Sequence, residues 1–312
     1  MVFFGTPEWA VPSLDALFSG PFEISAVVTN PDRPAGRGYE LKASAIKERA
    51  LELGLPVIQP EKARDPEFVQ QIAELQPDVA VVVAYGKILP SDLLDVPPHG
   101  FVNMHFSLLP AYRGAAPVQR AVMDGLSRTG ASIMVLTEGM DEGPVLAVEE
   151  VDIGPSETAG ELGTRLAEVG AALLARSLVA YLGGQLNPQP QDHAAATYAP
   201  KIGTEEARID WSEPATVIKD KVRGLNPVPG AWSTIRGKRL KVGSVQIQDA
   251  PSELSPGEVR PVETGLTVGT GTDPVLLETV QIAGKKAVTG SELARGLHFT
   301  PGERLGEDVA HG

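Results

Sequence analysis

The sequence predicts a mostly parallel α/β sheet followed by a small β-barrel, on three observations. Short apolar runs rich in β-branched residues alternate with segments of helical period as far as about residue 182. A stretch punctuated by glycine and proline, GGQLNPQP, then breaks the pattern. Beyond it, short alternating runs are separated by turn signals such as Pro229-Gly230 and Pro256-Gly257. A chain of 312 residues with 42% hydrophobic content can bury a sizeable core in one or two domains.

The candidate strands of the first part are 2–4, 24–29, 78–84, 100–105 and 131–136, with 145–151 as an antiparallel addition. Helical period fills the gaps at 44–53, 66–75 and 118–123, and a long segment rich in Ala and Leu covers 157–182. After the break, a helix is expected over 216–223. The runs AWSTI, LKVGSVQI, LTVGT and PVLLETVQI then alternate as barrel strands do. The resulting division is 1–183, a linker at 184–204, and a C-terminal domain at 205–312.

Charge narrows the function classes. The net charge of −13 argues against nucleic acid, because phosphate binding relies on Lys and Arg. The distribution argues the other way: residues 1–200 carry about −12, and the remainder is near neutral. Within 215–241 the only acid is Asp220, against Lys219, Lys221, Arg223, Arg236, Lys238, Arg239 and Lys241. This stretch reads either as an electrostatic footprint for RNA or as a solvated basic face. Cysteine is absent, which excludes disulfides and thiolate metal sites, and the five His are too scattered for a zinc motif. A metal-free reaction is expected. No apolar run is long enough for a membrane helix and no signal peptide opens the chain, so a cytoplasmic protein is expected.

In a doubly wound sheet, ligands bind at the carboxyl ends of the strands. The first turn, Gly5-Thr6-Pro7-Glu8-Trp9, has one glycine where a dinucleotide fingerprint has three, which disfavours a nicotinamide cofactor. At the end of a central strand, Asn103 and His105 alternate onto one face. An amide donor beside an imidazole suits acyl transfer, since both can donate to a tetrahedral oxyanion and the ring can move protons. Taken alone, such a pair equally satisfies backbone groups. Gly139-Met140-Asp141-Glu142-Gly143-Pro144 follows the 131–136 strand and is expected at the same sheet edge. Asp141 there could orient His105, stabilise its protonated form or relay a proton through water; an ordinary surface turn has the same composition.

These residues lie in blocks that run in order along the chain: FFGTPEWAVPSL, TNPDRPAGRG, VVVAYGKILP, NMHFSLLPAYRGAAPVQRA, GMDEGPVL, TYAPKI, RIDWS and RGLNPVPGAW. In them the chain resembles the folate-dependent formyltransferases. The PDRPAGRG and LNPxPGAW blocks point to the branch acting on methionyl-tRNA. The resemblance implies a Rossmann-like catalytic domain followed by an OB-like barrel, with 10-formyltetrahydrofolate as donor and initiator methionyl-tRNA as acceptor. It places the catalytic trio on Asn103, His105 and Asp141 and a folate site on Ser107, Leu108, Leu109 and Pro110, with Tyr85, Gly86, Ile88 and Leu89 against the pterin. Arg37 is expected to meet the tRNA acceptor end, and Lys219, Lys221 and Arg223 to contact tRNA from a C-terminal tRNA-binding domain. A monomer is expected. The alternatives are a formyltransferase for a nucleotide-linked amino sugar and a non-catalytic RNA-binding protein.

Overall fold

The computed structural model describes residues 1–35, 40–249 and 253–307. Two compact units interleave along the chain. The first comprises Met1–Pro117, Arg128–Asp152 and Gly163–Pro200; the second comprises Val118–Ser127, Ile153–Leu162 and the chain from Lys201 onward. The expected contiguous division therefore needs correction, because two short segments before residue 163 pack with the second unit. The stretch expected to act as a linker also differs, because its part up to Pro200 belongs to the first unit.

In chain order the first part contains β1 (Val2–Gly5), α1 (Val11–Phe18), β2 (Ala26–Val28), β3 (Arg33–Ala35), β4 (Glu40–Lys42), α2 (Ala45–Glu52), β5 (Val57–Ile58), α3 (Pro66–Glu74), β6 (Ala80–Val83), α4 (Ser91–Leu94), β7 (Phe101–His105), α5 (Pro117–Met123), β8 (Arg128–Val135), β9 (Val145–Asp152) and α6 (Ala159–Leu182). Seven strands form one sheet in the order β5-β2-β1-β6-β7-β8-β9. The five from β5 to β7 are parallel. Every residue of β1, β6 and β7 is buried, as expected of strands covered on both faces.

One face carries Val2, Phe4, Val82 and Phe101, packed with Phe68 and Ile72 of α3 and Leu93 of α4. Phe4 sits at its centre, edge-on to Tyr85 at 5.4 Å and tilted against Phe101 at 5.2 Å. Met104 alternates to the opposite face, where its sulfur lies 3.6 Å from the Ser13 hydroxyl of α1. Helix α6 lies close on that side: a Cβ at Gly170 would stand 2.4 Å from the Met104 sulfur, which would have to shift to admit one.

The direction of β8 departs from expectation. It runs antiparallel to β7, with Val102 opposite Val135 and His105 opposite Ser132. The chain from 106 to 127 is long enough for a parallel crossover, but it returns on the same edge and reverses the strand. The antiparallel pairing of β3 with β4 is a second difference, because no strand is expected between 29 and 78.

In the second unit, α7 (Ala215–Gly224) precedes β10 (Trp232–Ile235), β11 (Lys238–Ile247), β12 (Val259–Val262), β13 (Gly265–Val268), β14 (Val275–Ile282), β15 (Val288–Thr289) and α8 (Gly290–Leu297). The antiparallel sheet has the order β10-β11-β14-β13-β12, with β15 paired to β14. Register shifts around Gly243 bulge β11 against β14, the device that bends a sheet toward a barrel. Among the described residues no pairing joins β10 to β12, so the barrel stays open. Ile218 and Val222 of α7 enter a core with Trp211, Trp232, Leu240 and Leu277. The sequence reading missed α8, although its start carries a full capping box: Thr289 Oγ1 accepts from Glu292 N–H, and the Glu292 carboxylate accepts from Thr289 N–H. Among the described residues no helix is long and apolar enough to cross a membrane.

Candidate functional site

The site is built on the carboxyl end of β7. Asn103 and His105 are both buried, and they lie on the strand face opposite Met104. Among the described residues, no hydrogen bond is formed by the Asn103 carboxamide. One ring nitrogen of His105 is hydrogen-bonded and the other faces a carboxylate. Nε2 lies 2.9 Å from the Tyr112 carbonyl oxygen, which can only accept, so this nitrogen carries a proton. Nδ1 lies 3.6 Å from Asp141 Oδ2. The ring donor at Nε2 is therefore already engaged. For the substrate donation expected of His105, Nδ1 is the ring nitrogen without a carbonyl partner.

Asp141 reaches this position by a route the sequence did not indicate. Because β8 is antiparallel, its following loop leaves the sheet beside the start of β7, where Leu136 N–H donates to Phe101 O at 2.7 Å. His105 is four residues farther along, roughly 13 Å of strand. The loop folds back over that distance, so the expectation that it emerges at the same edge is corrected while the two side chains still meet. Asp141 Oδ2 also accepts the Gly114 N–H at 2.8 Å. Asp141 (φ 52°) and Tyr112 (φ 57°) both have left-handed backbone, which costs a non-glycine residue about 1–2 kcal/mol. Both grip His105, so the strain is concentrated at the site.

The residues expected at a folate site fall into two groups. The first is the turn after β7, braced against β8: Ser132 Oγ donates to Ser107 O at 2.7 Å and accepts from Leu109 N–H at 3.0 Å. Ser107 Oγ donates to Ala111 O at 2.6 Å, so its one donor is used in holding the turn. Leu108 and Pro110 are half-buried and Leu109 is buried. The second group follows β6. The Tyr85 ring is part of the apolar core, and its hydroxyl is buried without a partner among the described residues and has its pKa pushed up to about 12 by burial. Gly86 takes φ 78°, Ile88 is 90% exposed, and Leu89 packs against the same core.

The sequence reading missed Thr6 and Asn30. Asn30 Nδ2 donates to Thr6 Oγ1 at 2.9 Å and to Tyr85 O at 2.8 Å, tying the ends of β1, β2 and β6 together. In strand order this is the switch point between β1 and β6, the crevice where doubly wound sheets bind ligands. The signal was available: Thr6 directly follows β1, and Asn30 stands two residues past the end of β2.

The residues expected to bind tRNA are dispersed in what they do. Arg37 lies outside the described residues. Arg223 is buried; its guanidinium pairs with Asp220 at 2.7 Å and donates to Gly154 O and Glu157 O. Lys221 donates to Arg208 O at 2.6 Å, and desolvation lowers its pKa. These two are internal ties, contrary to expectation, and Lys219 is half-buried. Farther along, Lys238 and Arg239 are exposed, and the Arg239 guanidinium stacks 4.3 Å from the Trp232 ring centroid. Trp232 is a core residue whose indole N–H donates to Thr204 O.

Comparison with known proteins agrees with this architecture. The formyl transferase family model matches residues 1–178, and the formyl transferase C-terminal domain model matches 201–298. The methionyl-tRNA formyltransferase of Streptomyces coelicolor is 50% identical over 309 residues, covering 98% of this chain and 99% of its own length. Among solved structures, the methionyl-tRNA formyltransferase from Clostridium thermocellum aligns with a TM-score of 0.57 at 15% identity, over 90% of this chain and 97% of its own. HypX from Aquifex aeolicus, in complex with tetrahydrofolic acid, aligns with a TM-score of 0.63 at 18% identity, over 94% of this chain and 46% of its own. At those identities the structures establish the fold, while the full-length sequence match establishes kinship: the chain is a member of the methionyl-tRNA formyltransferase family.

Proposed function

We propose that the protein transfers the formyl group of 10-formyltetrahydrofolate to the α-amine of initiator methionyl-tRNA, in the cytoplasm, at the start of translation. The observation that carries this reading is the Asn103 carboxamide, without a hydrogen bond among the described residues, on the same strand face as a His105 ring that faces Asp141. The family match supports the acceptor, and the tetrahydrofolic acid in the HypX structure supports a folate donor.

An α-amine titrates near neutral pH, so a useful fraction is free base and can attack the formyl carbon directly. A C–N bond forms as the carbonyl oxygen becomes an oxyanion. Asn103 Nδ2 donates to that oxygen, joined by a proton on His105 Nδ1. Asp141 orients the ring by facing this nitrogen with a carboxylate. Its other oxygen receives, through water, the proton the amine loses. Collapse of the intermediate breaks the bond to N10 of the folate, the proton taken up by Asp141 passes back through water to N10, and tetrahydrofolate leaves. The turn Ser107–Pro110 and the backbone from Tyr85 to Leu89 flank the donor site. On the second unit, exposed Lys238 and Arg239 and half-buried Lys219 serve as phosphate contacts, and Arg37 meets the acceptor end.

The test is formylation of charged initiator tRNA with 10-formyltetrahydrofolate, run beside elongator methionyl-tRNA and an amino-sugar nucleotide. Product from the initiator alone is expected. Turnover of the amino sugar in its place would refute the reading.

A further inference from the structure

Arg113 is the largest fully buried side chain in the first unit, 1% exposed, and among the described residues no carboxylate pairs with it. Burying a guanidinium without a counter-charge is unfavourable, so its retention calls for a physical reason. Its partners are unusual. Nε and Nη2 both donate to Gln191 Oε1, at 3.1 and 2.7 Å, and the two remaining contacts are both with His193 Nδ1, at 3.5 Å from Nη1 and 3.4 Å from Nη2. Gln191, itself buried, turns its Nε2 the other way and donates to Asp141 O at 2.9 Å and Gly143 O at 2.7 Å.

We infer that Gln191 is a positioning residue for Asp141, and that the buried charge of Arg113 serves to orient it. Arginine offers only donors. The Gln191 carboxamide must therefore present its oxygen to Arg113, which leaves both amide hydrogens aimed at the loop carbonyls. With a neutral apolar group in place of Arg113 the amide could flip, and its oxygen would face two carbonyl oxygens. The charge thus selects one of two amide orientations, and that orientation holds the loop whose Asp141 carboxylate faces His105.

The surrounding backbone makes the arrangement stiff. Gln189 exchanges two backbone hydrogen bonds with Val145, each 2.8 Å, just after the Asp141 loop. Ten residues on, Ala199 N–H donates to Arg113 O at 2.7 Å and Arg113 N–H donates to Thr197 O at 2.9 Å. The segment 189–199 is a strap stitched to both loops that supply the site. Gly114 allows its close approach, since a Cβ there would lie 2.8 Å from Ala199 O.

This inference rests on the proposed role of Asp141, and two variants test it. Gln191→Leu removes both ends of the bridge. Gln191→Glu keeps the acceptor for Arg113, and so the fold, but replaces the donor with a carboxylate oxygen. Misplacing a catalytic group by about 1 Å costs on the order of 100-fold, so both variants should lose roughly 10- to 100-fold in kcat, with KM for each substrate within about threefold. The second readout is hydrogen exchange of the Gly114 amide, which donates to Asp141 Oδ2. Its exchange should accelerate at least tenfold in both variants, while the β7 amides keep wild-type rates. Wild-type kcat in Gln191→Glu would overturn the inference, as would acceleration shared equally by Gly114 and β7. Lack of formyl transfer by the wild type would instead refute the proposed reaction, leaving the exchange experiment as an independent test of the bridge.

Discussion

In the first unit, the Asn103 carboxamide at the end of β7 forms no hydrogen bond among the described residues, while two residues along the strand His105 is bonded to Tyr112 O and faces Asp141. In the second unit, the basic stretch 215–241 carries seven cations, of which four are bonded inside the protein: Lys221 to Arg208 O, Arg223 to Asp220, Arg236 to Glu303 and Lys241 to Pro227 O. A strand end thus offers chemistry because its alternation directs side chains to one face. A run of charges offers only what its own fold leaves unpaired. The comparison separates residue type, which the sequence states, from availability, which depends on distant chain segments.

The largest effect is expected where availability is greatest. Asn103→Ala and His105→Ala should each lower kcat by on the order of 100-fold or more, because a preorganised donor to a developing oxyanion is worth roughly 3–4 kcal/mol. Folate affinity should change little, since these groups act on charge that appears in the transition state. Steady-state kinetics with folate binding measured separately decides the point. A raised KM at wild-type kcat would move both residues out of the oxyanion role.

The second effect concerns Arg223, where the sequence and the structure differ. Truncation to Ala leaves two carbonyl oxygens and Asp220 without their donor, a loss of roughly 2 kcal/mol. Denaturant unfolding should report that loss, and tRNA affinity measured on the folded fraction should stay within about twofold. A large affinity loss at unchanged stability would restore Arg223 to the RNA surface.

The third effect sits on the cations left exposed. Lys238→Ala with Arg239→Ala should weaken tRNA binding and flatten log affinity against log salt by up to about one unit per lost phosphate contact. Arg37→Ala should lower formylation of tRNA far more than it changes folate affinity. Salt slopes of the pair variant that coincide with wild type would make β11 an ordinary solvated edge.

Much of the fold was legible because local pattern and tertiary role agreed. VFFG, AVVV and FVNMH are β-branched or aromatic runs that lie buried in a parallel sheet, and the 24 residues of α6 follow an Ala- and Leu-rich segment. The direction of β8 was not legible, since an antiparallel return and a parallel crossover need similar lengths of chain. Nor was the strap at 189–199, because NPQPQD has the composition of a linker and its order comes from hydrogen bonds to Val145 and Arg113. The sequence brought Asn103 and His105 together through strand period. It associated Asp141 with them for a reason the topology corrects. It missed Gln191, whose role depends on a buried Arg113 78 residues away. The internal use of Arg223 depends likewise on carbonyls 66 and 69 residues earlier.

The smallest effect tests the same distinction by titration. Arg236, another cation of the basic stretch, is engaged by Glu303 through Nε–Oε1 at 2.7 Å and Nη2–Oε2 at 2.9 Å, and Glu303 also accepts from Thr300 N–H. The Arg236 side-chain hydrogen bond is the main cause holding the Glu303 carboxyl below its ordinary value of 4.5. A carboxylate with a lowered folded-state pKa contributes stability that is fully present above its unfolded value and lost as pH falls through the folded one. Wild type should therefore exceed Glu303→Gln by a constant margin above about pH 5.5, and the margin should shrink as pH drops below 4.5. Urea unfolding of both proteins between pH 3 and 7 measures it. A margin independent of pH would mean that Arg236 is held by its bond to Leu297 O and its stacking on Phe299. Its charge would then be available to RNA beside Lys238 and Arg239.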